Sequence, residues 1–406
     1  MVRAPDRTDT DTMRRMQMSS DSRLLERLSE LLGERPDAGL VRVVRAPGRV
    51  NLIGEHTDYN DGFVLPAAID LEMRIGYVPA DDGKVRLASA QTRDVIEFDA
   101  RDPGAGEGGW RDYVAGTAWA MLEAGLPTDG LTGVLESSVP VGAGLSSSAA
   151  LELASAWALS GTSPPPTDPL TLARIAQRAE NDYVGMRCGL MDQFASAAGV
   201  AGAAVLLDCR TLEHRPVSIP AGLVLVVAHT GVPRSLTGSA YNERRTQCEA
   251  AVAVLARHDA GIRALRDVTP ELLQRYATEL DPEVLRRAWH VVEENARVLG
   301  AERALGSGDL DELGRLFAAS HASLRDLYEV SVPELDTLVE LAATTPGVVA
   351  SRMTGAGFGG CTVSLVQADA VERLTERIER EYPALTGREP RVWPVRAVAG
   401  AGVVGA

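Results

Sequence analysis

Residues 139–154, VPVGAGLSSSAALELA, decide how the rest of this chain is read. Alternating positions Leu131, Gly133 and Leu135 lead into the segment, and an Ala/Leu-rich helical pattern follows it. That order predicts a strand, a glycine-rich loop and a helix N-terminus. Gly142 and Gly144 supply tight turns and close backbone approach. Ser146, Ser147 and Ser148 place hydroxyls beside amides that the first helical turn leaves unpaired. Amides and helix dipole together make an anion site, most often for phosphate. A flexible strand-to-helix connection gives a similar string, so the loop alone does not fix a function.

The rest of the chain sharpens that reading by what it lacks. Its 406 residues include one lysine, Lys84, in a DDGK turn between strand-like runs. No GxxxxGK[ST] segment exists, nor the HRD and DFG elements of protein kinases. Schiff-base or pyridoxal chemistry would have to rest on Lys84 alone. A bound nucleotide is therefore expected to be held by backbone amides, serines, arginines and a metal.

Forty-one Lys and Arg against 56 Asp and Glu give a formal charge of −15. With the arginines dispersed and no basic tract, the composition argues against a nucleic-acid-binding role. An acidic protein holding an anionic nucleotide calls for local positive potential and a divalent cation. Mean hydropathy of −0.04 and 45% hydrophobic residues describe an ordinary globular protein, expected as two domains or one two-lobed unit. Cys188, Cys209, Cys248 and Cys361 lie far apart without a CxxC pair and read as reduced thiols, so a cytoplasmic setting is expected. The six histidines show no zinc-ligand spacing. No signal-peptide or membrane-span pattern is visible. Residues 1–20 are polar and are expected to be a disordered extension or an over-long translation start.

Periodicity predicts a helix over 22–33 and strands over 63–69, 72–78, 84–89 and 95–98. Helices follow over 111–124, from the serine loop to about Leu159, and over 169–184. After strand signals at 203–208 and 223–228, helices are expected at 239–258, 270–279, 282–304, 309–328 and 332–343. The end reverts to strand (347–353), Gly-rich turn (354–360), strand (361–366), helix (369–382) and strand (391–397). A strand-rich first half and a helix-rich second half closing on a βαβ unit predict an α+β protein of two lobes, 21–210 and 211–406.

Three further constellations carry chemistry. Residues 45–62, RAPGRVNLIGEHTDYNDG, crowd Glu55, His56 and Asp58 downstream of Arg49. Carboxylates and imidazole on a short loop orient a polyhydroxylated ligand by paired hydrogen bonds, although Asp, Asn and Gly also build plain turns. Residues 180–193, ENDYVGMRCGLMDQ, carry Glu180 on a helix and Asp192 before a small-residue stretch. Asp192 reads as a helix N-cap or as a carboxylate beside a substrate hydroxyl. Glu180 with a serine hydroxyl meets the need of Mg²⁺ for one or two protein oxygens. Residues 353–362, MTGAGFGGCT, form a second Gly-rich turn, weak evidence by itself.

In this order the segments resemble the GHMP kinase superfamily, named for galactokinase, homoserine kinase, mevalonate kinase and phosphomevalonate kinase. Residues 49–70, RVNLIGEHTDYNDGFVLPAAID, look specifically like the signature of its galactokinase branch. VPVGAGLSSSAALELA looks like the family's ATP loop and MTGAGFGGC like its third motif, so the resemblance spans roughly residues 42–366. It implies a two-lobed α+β GHMP-kinase fold closing on a split βαβ unit, and ATP-dependent phosphorylation of the anomeric hydroxyl of α-D-galactose. By position, the resemblance gives Glu55, His56, Thr57, Asp58 and Tyr241 to the sugar. Asp192 matches the proposed catalytic base, and Arg49 the arginine that holds it ionised and stabilises the transition state. Gly142, Ala143, Gly144, Leu145, Ser146, Ser147 and Ser148 match the nucleotide loop, Trp110 the adenine pocket, and Ser148 with Glu180 the Mg²⁺ ligands. Around His229-Thr230-Gly231 relatives more often carry a different polar sequence. Implied partners are galactose and ATP, with no nucleic acid, no membrane, and a monomer or weak homo-oligomer.

A carboxylate is a poor base for a sugar hydroxyl before the O–P bond forms, so Asp192 is expected to align O1 early and accept its proton late. Three alternatives stay open at this point. The sugar could be N-acetylgalactosamine or another hexose, since pocket walls outside the motifs control the 2-position. The chain could be a non-catalytic sugar sensor, a reading disfavoured by its intact serine loop and Asp192. A mevalonate- or homoserine-type kinase is disfavoured by the EHTDYND element.

Overall fold

The computed structural model describes residues 20–162, 164–232 and 237–404. The expected extension over 1–20 lies, Ser20 aside, outside the described residues.

Among the described residues the sheets are formed by β1 (Arg42–Asn51), β2 (Phe63–Val64), β3 (Pro66–Pro79), β4 (Lys84–Ser89), β5 (Val95–Asp99), β6 (Leu131–Ser137), β7 (Ala203–Asp208), β8 (His214–Ser218), β9 (Leu223–His229), β10 (Val348–Thr354), β11 (Cys361–Gln367), β12 (Arg391–Val395) and β13 (Gly402–Val403). The helices are α1 (Ser20–Leu32), α2 (Arg111–Glu123), α3 (Ser147–Leu159), α4 (Pro169–Arg178), α5 (Met191–Ala198), α6 (Thr237–Leu255), α7 (Pro270–Arg275), α8 (Pro282–Ser307), α9 (Leu310–Asp326), α10 (Pro333–Ala343) and α11 (Val371–Thr386).

The first lobe is a six-stranded sheet, β13-β1-β3-β6-β4-β5, covered by α2, α3, α4 and α5. Alternation sets its inner face. In β4, inward-facing Val85 and Leu87 alternate with Lys84 and Arg86, and in β5 Ile96 and Phe98 face inward in the same way. The stretch expected as strands 63–69 and 72–78 is instead the two-residue β2 and one continuous 14-residue β3. Polar Asp70 resembles a break. Yet the Asp70 N–H donates to the Arg396 carbonyl and its carboxylate accepts the Arg396 N–H, which keeps the strand extended. The chain end also returns to this lobe, with Val44 registered on Val403.

The second lobe is built on β10-β11-β9-β12 and the helices α6–α11. β11 and β12 both run antiparallel to β9, which lies between them, so β11-α11-β12 is a split βαβ unit. A buried apolar cluster joins the lobes, bringing Val50, Leu52 and Ile53 against Val298, Phe317 and Val363. The strand–loop–helix order read around residue 142 is β6, a loop, and α3. The helix expected over 169–184 ends as an α-helix at Arg178, and Ala179–Val184 continue as a π-helical turn that buries Glu180.

Candidate active site

β1 delivers the chain from the sheet into the EHTD turn, passing a bulge between Pro47 and Arg49. A Cβ on Gly48 would lie 2.6 Å from the Leu145 carbonyl, so only glycine lets the serine loop settle here. The Arg49 N–H donates to that carbonyl at 3.1 Å. The Arg49 guanidinium then spans two motifs. Nη1 donates to the Gly144 carbonyl at 2.6 Å, while Nε and Nη2 both reach Asp192 Oδ1 at 2.7 and 2.6 Å.

Inside the turn, His56 takes a left-handed conformation with φ of 63°. Its carbonyl is held by the Asn60 side-chain amide at 2.9 Å. Thr57 differs from expectation. It is fully buried, and its hydroxyl is shared between the Gly54 and Phe63 carbonyls at 2.9 and 2.7 Å, so it shapes the turn and does not line the cavity. Glu55 borders the cavity but is already engaged. It pairs with Arg352 at 2.6 Å and accepts from Asn51 Nδ2 and the Gly355 N–H, both at 2.8 Å. Buried Arg352 also donates to the Asn51 and Leu52 carbonyls, which staples the first motif to the third. Behind it lies Glu294, whose burial favours the neutral acid but whose neighbours Arg297, His290 and Arg352 hold its pKa down at about 2.

Gly142 and Gly144 adopt φ of 73° and 81°, as the loop reading requires, and Ser146 enters α3 at φ 58°. Gly142, Gly144, Ser146, Ser147 and Ser148 line the cavity. Ala143 and Leu145 do not, because each is buried in the core between the lobes, and the Ala143 N–H already donates to the Pro140 carbonyl at 3.3 Å. The buried Ser146 hydroxyl has no partner within the protein, which leaves it for a ligand. The third motif closes in so tightly that a Cβ on Gly355 would lie 2.9 Å from the Gly144 carbonyl.

The result is one cavity of about 970 Å³, lined by the serine loop, Trp110 and Glu180 as well as by Arg49, His56, Asp58, Asp192 and Tyr241. Such a volume suits two small ligands side by side. Burial and the neighbouring Asp192 push the Asp58 carboxyl up to about 6, against the Tyr59 N–H, Arg49 and Arg245. Burial and Asp192 likewise push Glu180 up to about 7, against hydrogen bonds from Ser148, Cys188 and Gln193. Gln193 Nε2 bridges Glu180 at 2.5 Å and the fully buried Glu152 at 3.1 Å. Among the described residues no cluster of three or more His, Cys, Asp or Glu could hold a metal by itself. The pair Ser148 and Glu180, crowded by other carboxylates, still fits a cation completed by phosphate oxygens.

Reading the residues in isolation missed several members. A Cβ on Gly189 would fall 1.9 Å from Asp58 Oδ2, so this glycine makes room for the carboxylate. Its signal was the pattern break in CGLMDQ. Tyr59 stood next to the EHTD string, but Tyr328 and Cys248, which reach it in space, have no sequence signal. Trp393 and Arg391 also line the cavity, from a strand legible only as a strand. His229, Thr230 and Gly231 do not line it.

Comparison with known proteins agrees with this geometry. The model described as galactokinase galactose-binding signature matches residues 28–79, the GHMP kinase N-terminal domain 112–200, and the GHMP kinase C-terminal domain 301–384. A galactokinase of Chloroflexus aurantiacus is 48% identical over 363 residues, 89% of this chain and 93% of that protein. A galactokinase of Roseiflexus sp. is 45% identical, over 95% of this chain and 98% of its own. The crystal structure of Lactococcus lactis galactokinase complexed with galactose superposes with a TM-score of 0.89 at 35% identity, over 95% of this chain and 100% of that one. Methanococcus jannaschii mevalonate kinase, at 16% identity over 89% of this chain and 100% of its own, shares the fold with a TM-score of 0.65. Family models, relatives and cavity together place the chain in the galactokinase family of GHMP kinases.

Proposed function

We propose that the protein transfers the γ-phosphoryl group of ATP to O1 of α-D-galactose, giving galactose 1-phosphate and ADP. The observation that carries this reading is the Arg49–Asp192 pair, set in one cavity between the EHTD turn and the serine loop.

Both Arg49 bonds land on Oδ1 of Asp192, which leaves Oδ2 for the sugar hydroxyl. The O1–P bond forms as the bond from phosphorus to the β,γ-bridging oxygen breaks, and the O1 proton passes to Oδ2. In-line phosphoryl transfer has a loose transition state, so positioning and charge balance dominate. Arg49 supplies positive charge beside the moving group and ties Asp192 to the loop under the phosphates. His56, Asp58 and Tyr241 hold the sugar, and serine-loop amides with the unpartnered Ser146 hydroxyl hold the nucleotide. Ser148 and Glu180 would hold Mg²⁺, which supplies charge neutralisation at the β- and γ-phosphates when bound. No helix among the described residues is long and apolar enough to cross a membrane. The four cysteines form no disulfide among the described residues, which supports a reducing, cytoplasmic setting.

The test is ADP release with ATP and Mg²⁺ across a panel of hexoses. Turnover highest with galactose supports the reading. Preference for N-acetylgalactosamine would move the substrate, and no turnover with any hexose would overturn the assignment.

A further inference from the structure

His56 is nearly fully buried at the cavity wall, and a chain of hydroxyls runs away from it into the second lobe. Its Nδ1 lies 2.8 Å from the Tyr59 hydroxyl and its Nε2 3.3 Å from the Ala356 carbonyl. The Tyr59 hydroxyl lies 2.7 Å from that of Tyr328, which in turn lies 3.2 Å from Cys248 Sγ. The Tyr328 ring packs 4.6 Å from the imidazole, and the Tyr241 ring 5.6 Å.

Donor and acceptor logic fixes every hydrogen in this chain. A carbonyl oxygen only accepts, so Nε2 carries the proton. Burial, with His290 close by, drives the His56 pKa down to about 3, so the ring is neutral and Nδ1 is a bare acceptor. Tyr59 must then donate to Nδ1, which leaves its oxygen to accept from Tyr328. The Cys248 thiol, pushed up to about 11 by burial, keeps its hydrogen for the Tyr328 oxygen. The opposite tautomer would set a lone pair of Nε2 against the Ala356 oxygen. At 3.3 Å the Nε2–Ala356 bond is long, and a ligand oxygen at the wall can take its place.

We propose that Tyr59, Tyr328 and Cys248 are positioning residues that, together with the Ala356 carbonyl, lock His56 as the Nε2–H tautomer, so that it meets the bound sugar as a hydrogen-bond donor and selects a ligand oxygen that can accept. This rests on the galactose reading for its substrate but not for its chemistry. The tautomer is read in the ligand-free protein, whichever hexose turns over.

The experiment is long-range ¹H–¹⁵N NMR of the ¹⁵N-histidine-labelled chain, with His56 assigned by its loss in His56→Gln. The expected result is a single Nε2–H tautomer in the unsubstituted protein and a mixture in Tyr59→Phe. The same variant should raise KM for galactose about 10-fold, as for one lost hydrogen bond, with KM for ATP unchanged. Tyr328→Phe, which leaves the Tyr59 hydroxyl free to turn, should give a smaller change in the same direction. Thermal melts report whether each variant is folded, and Tyr59→Phe decides the matter if Tyr328→Phe is not. An Nδ1–H tautomer in the unsubstituted protein, or an unmixed tautomer and unchanged KM in folded Tyr59→Phe, would overturn the proposal.

Discussion

Arg49 grips a single oxygen of Asp192 with two of its nitrogens, at 2.7 and 2.6 Å, and uses the third to hold the Gly144 carbonyl. Asp192 and the serine loop are therefore fixed to one planar group. Such a fork cannot be replaced by the single ammonium of lysine. Asp192→Asn should lower kcat by ~10²–10³ while KM for ATP moves little. Arg49→Lys should also lower kcat, by at least ~10-fold, because charge is kept but alignment is lost. Steady-state kinetics on both variants check this, and near-normal kcat in Asp192→Asn would remove Asp192 from the chemistry.

Gly189 is the partner of Asp58 in a steric sense, since a Cβ there would overlap the carboxylate at 1.9 Å. Gly189→Ala should displace Asp58 and raise KM for galactose by at least ~10-fold, the scale of one or two lost polar contacts. Calorimetric affinity for ATP should stay close to that of the unsubstituted protein. A loss confined to ATP binding would mean that the overlap is relieved toward the loop.

Asp58 also carries a stability cost. Burial and the nearby Asp192 raise its folded pKa to about 6, well above the ordinary aspartate range, so the folded state resists ionisation. That penalty is absent below the unfolded pKa, grows as pH rises through the window between, and is full above the folded value. Two units correspond to about 3 kcal/mol at most. Asp58→Asn should therefore stabilise the ligand-free protein by about 1–3 kcal/mol at pH 8 and by almost nothing at pH 3.5. Chemical denaturation at both pH values measures it. The same variant should lose sugar binding, a site-for-stability exchange of the usual kind.

Glu55→Ala makes the opposite case. Removing the carboxylate leaves the fully buried Arg352 with the more distant Glu294, 3.9 Å away, as its remaining ion-pair partner. Breaking such a pair costs about 3–5 kcal/mol. A drop of that size in unfolding free energy is expected, and a change under 1 kcal/mol would show that the staple between the motifs carries no load.

Sequence patterning captured the architecture where local chemistry and tertiary role coincide. The loop glycines, the alternation in β4 and β5 and the closing β11-α11-β12 unit were all legible because each states its own geometry. Two of the misreadings come from contacts between residues distant in sequence, and the third from a side chain folded back onto its own turn. β3 looked broken at Asp70 because its partner, Arg396, is 326 positions away. Thr57 reads like its ligand-facing neighbours, and only the fold shows its hydroxyl turned to two carbonyls. Arg352, fully buried, looked like one strand residue among many until Glu55 came within 2.6 Å.

The proposed reaction is defined by where the phosphoryl group lands, and ³¹P NMR of the protein with ATP, Mg²⁺ and galactose shows that directly. A sugar 1-phosphate resonance growing in step with ADP, and absent with Asp192→Asn on the same timescale, is the predicted result. Phosphate appearing on another hydroxyl, or only as inorganic phosphate, would contradict the placement of O1 between Asp192 and the serine loop.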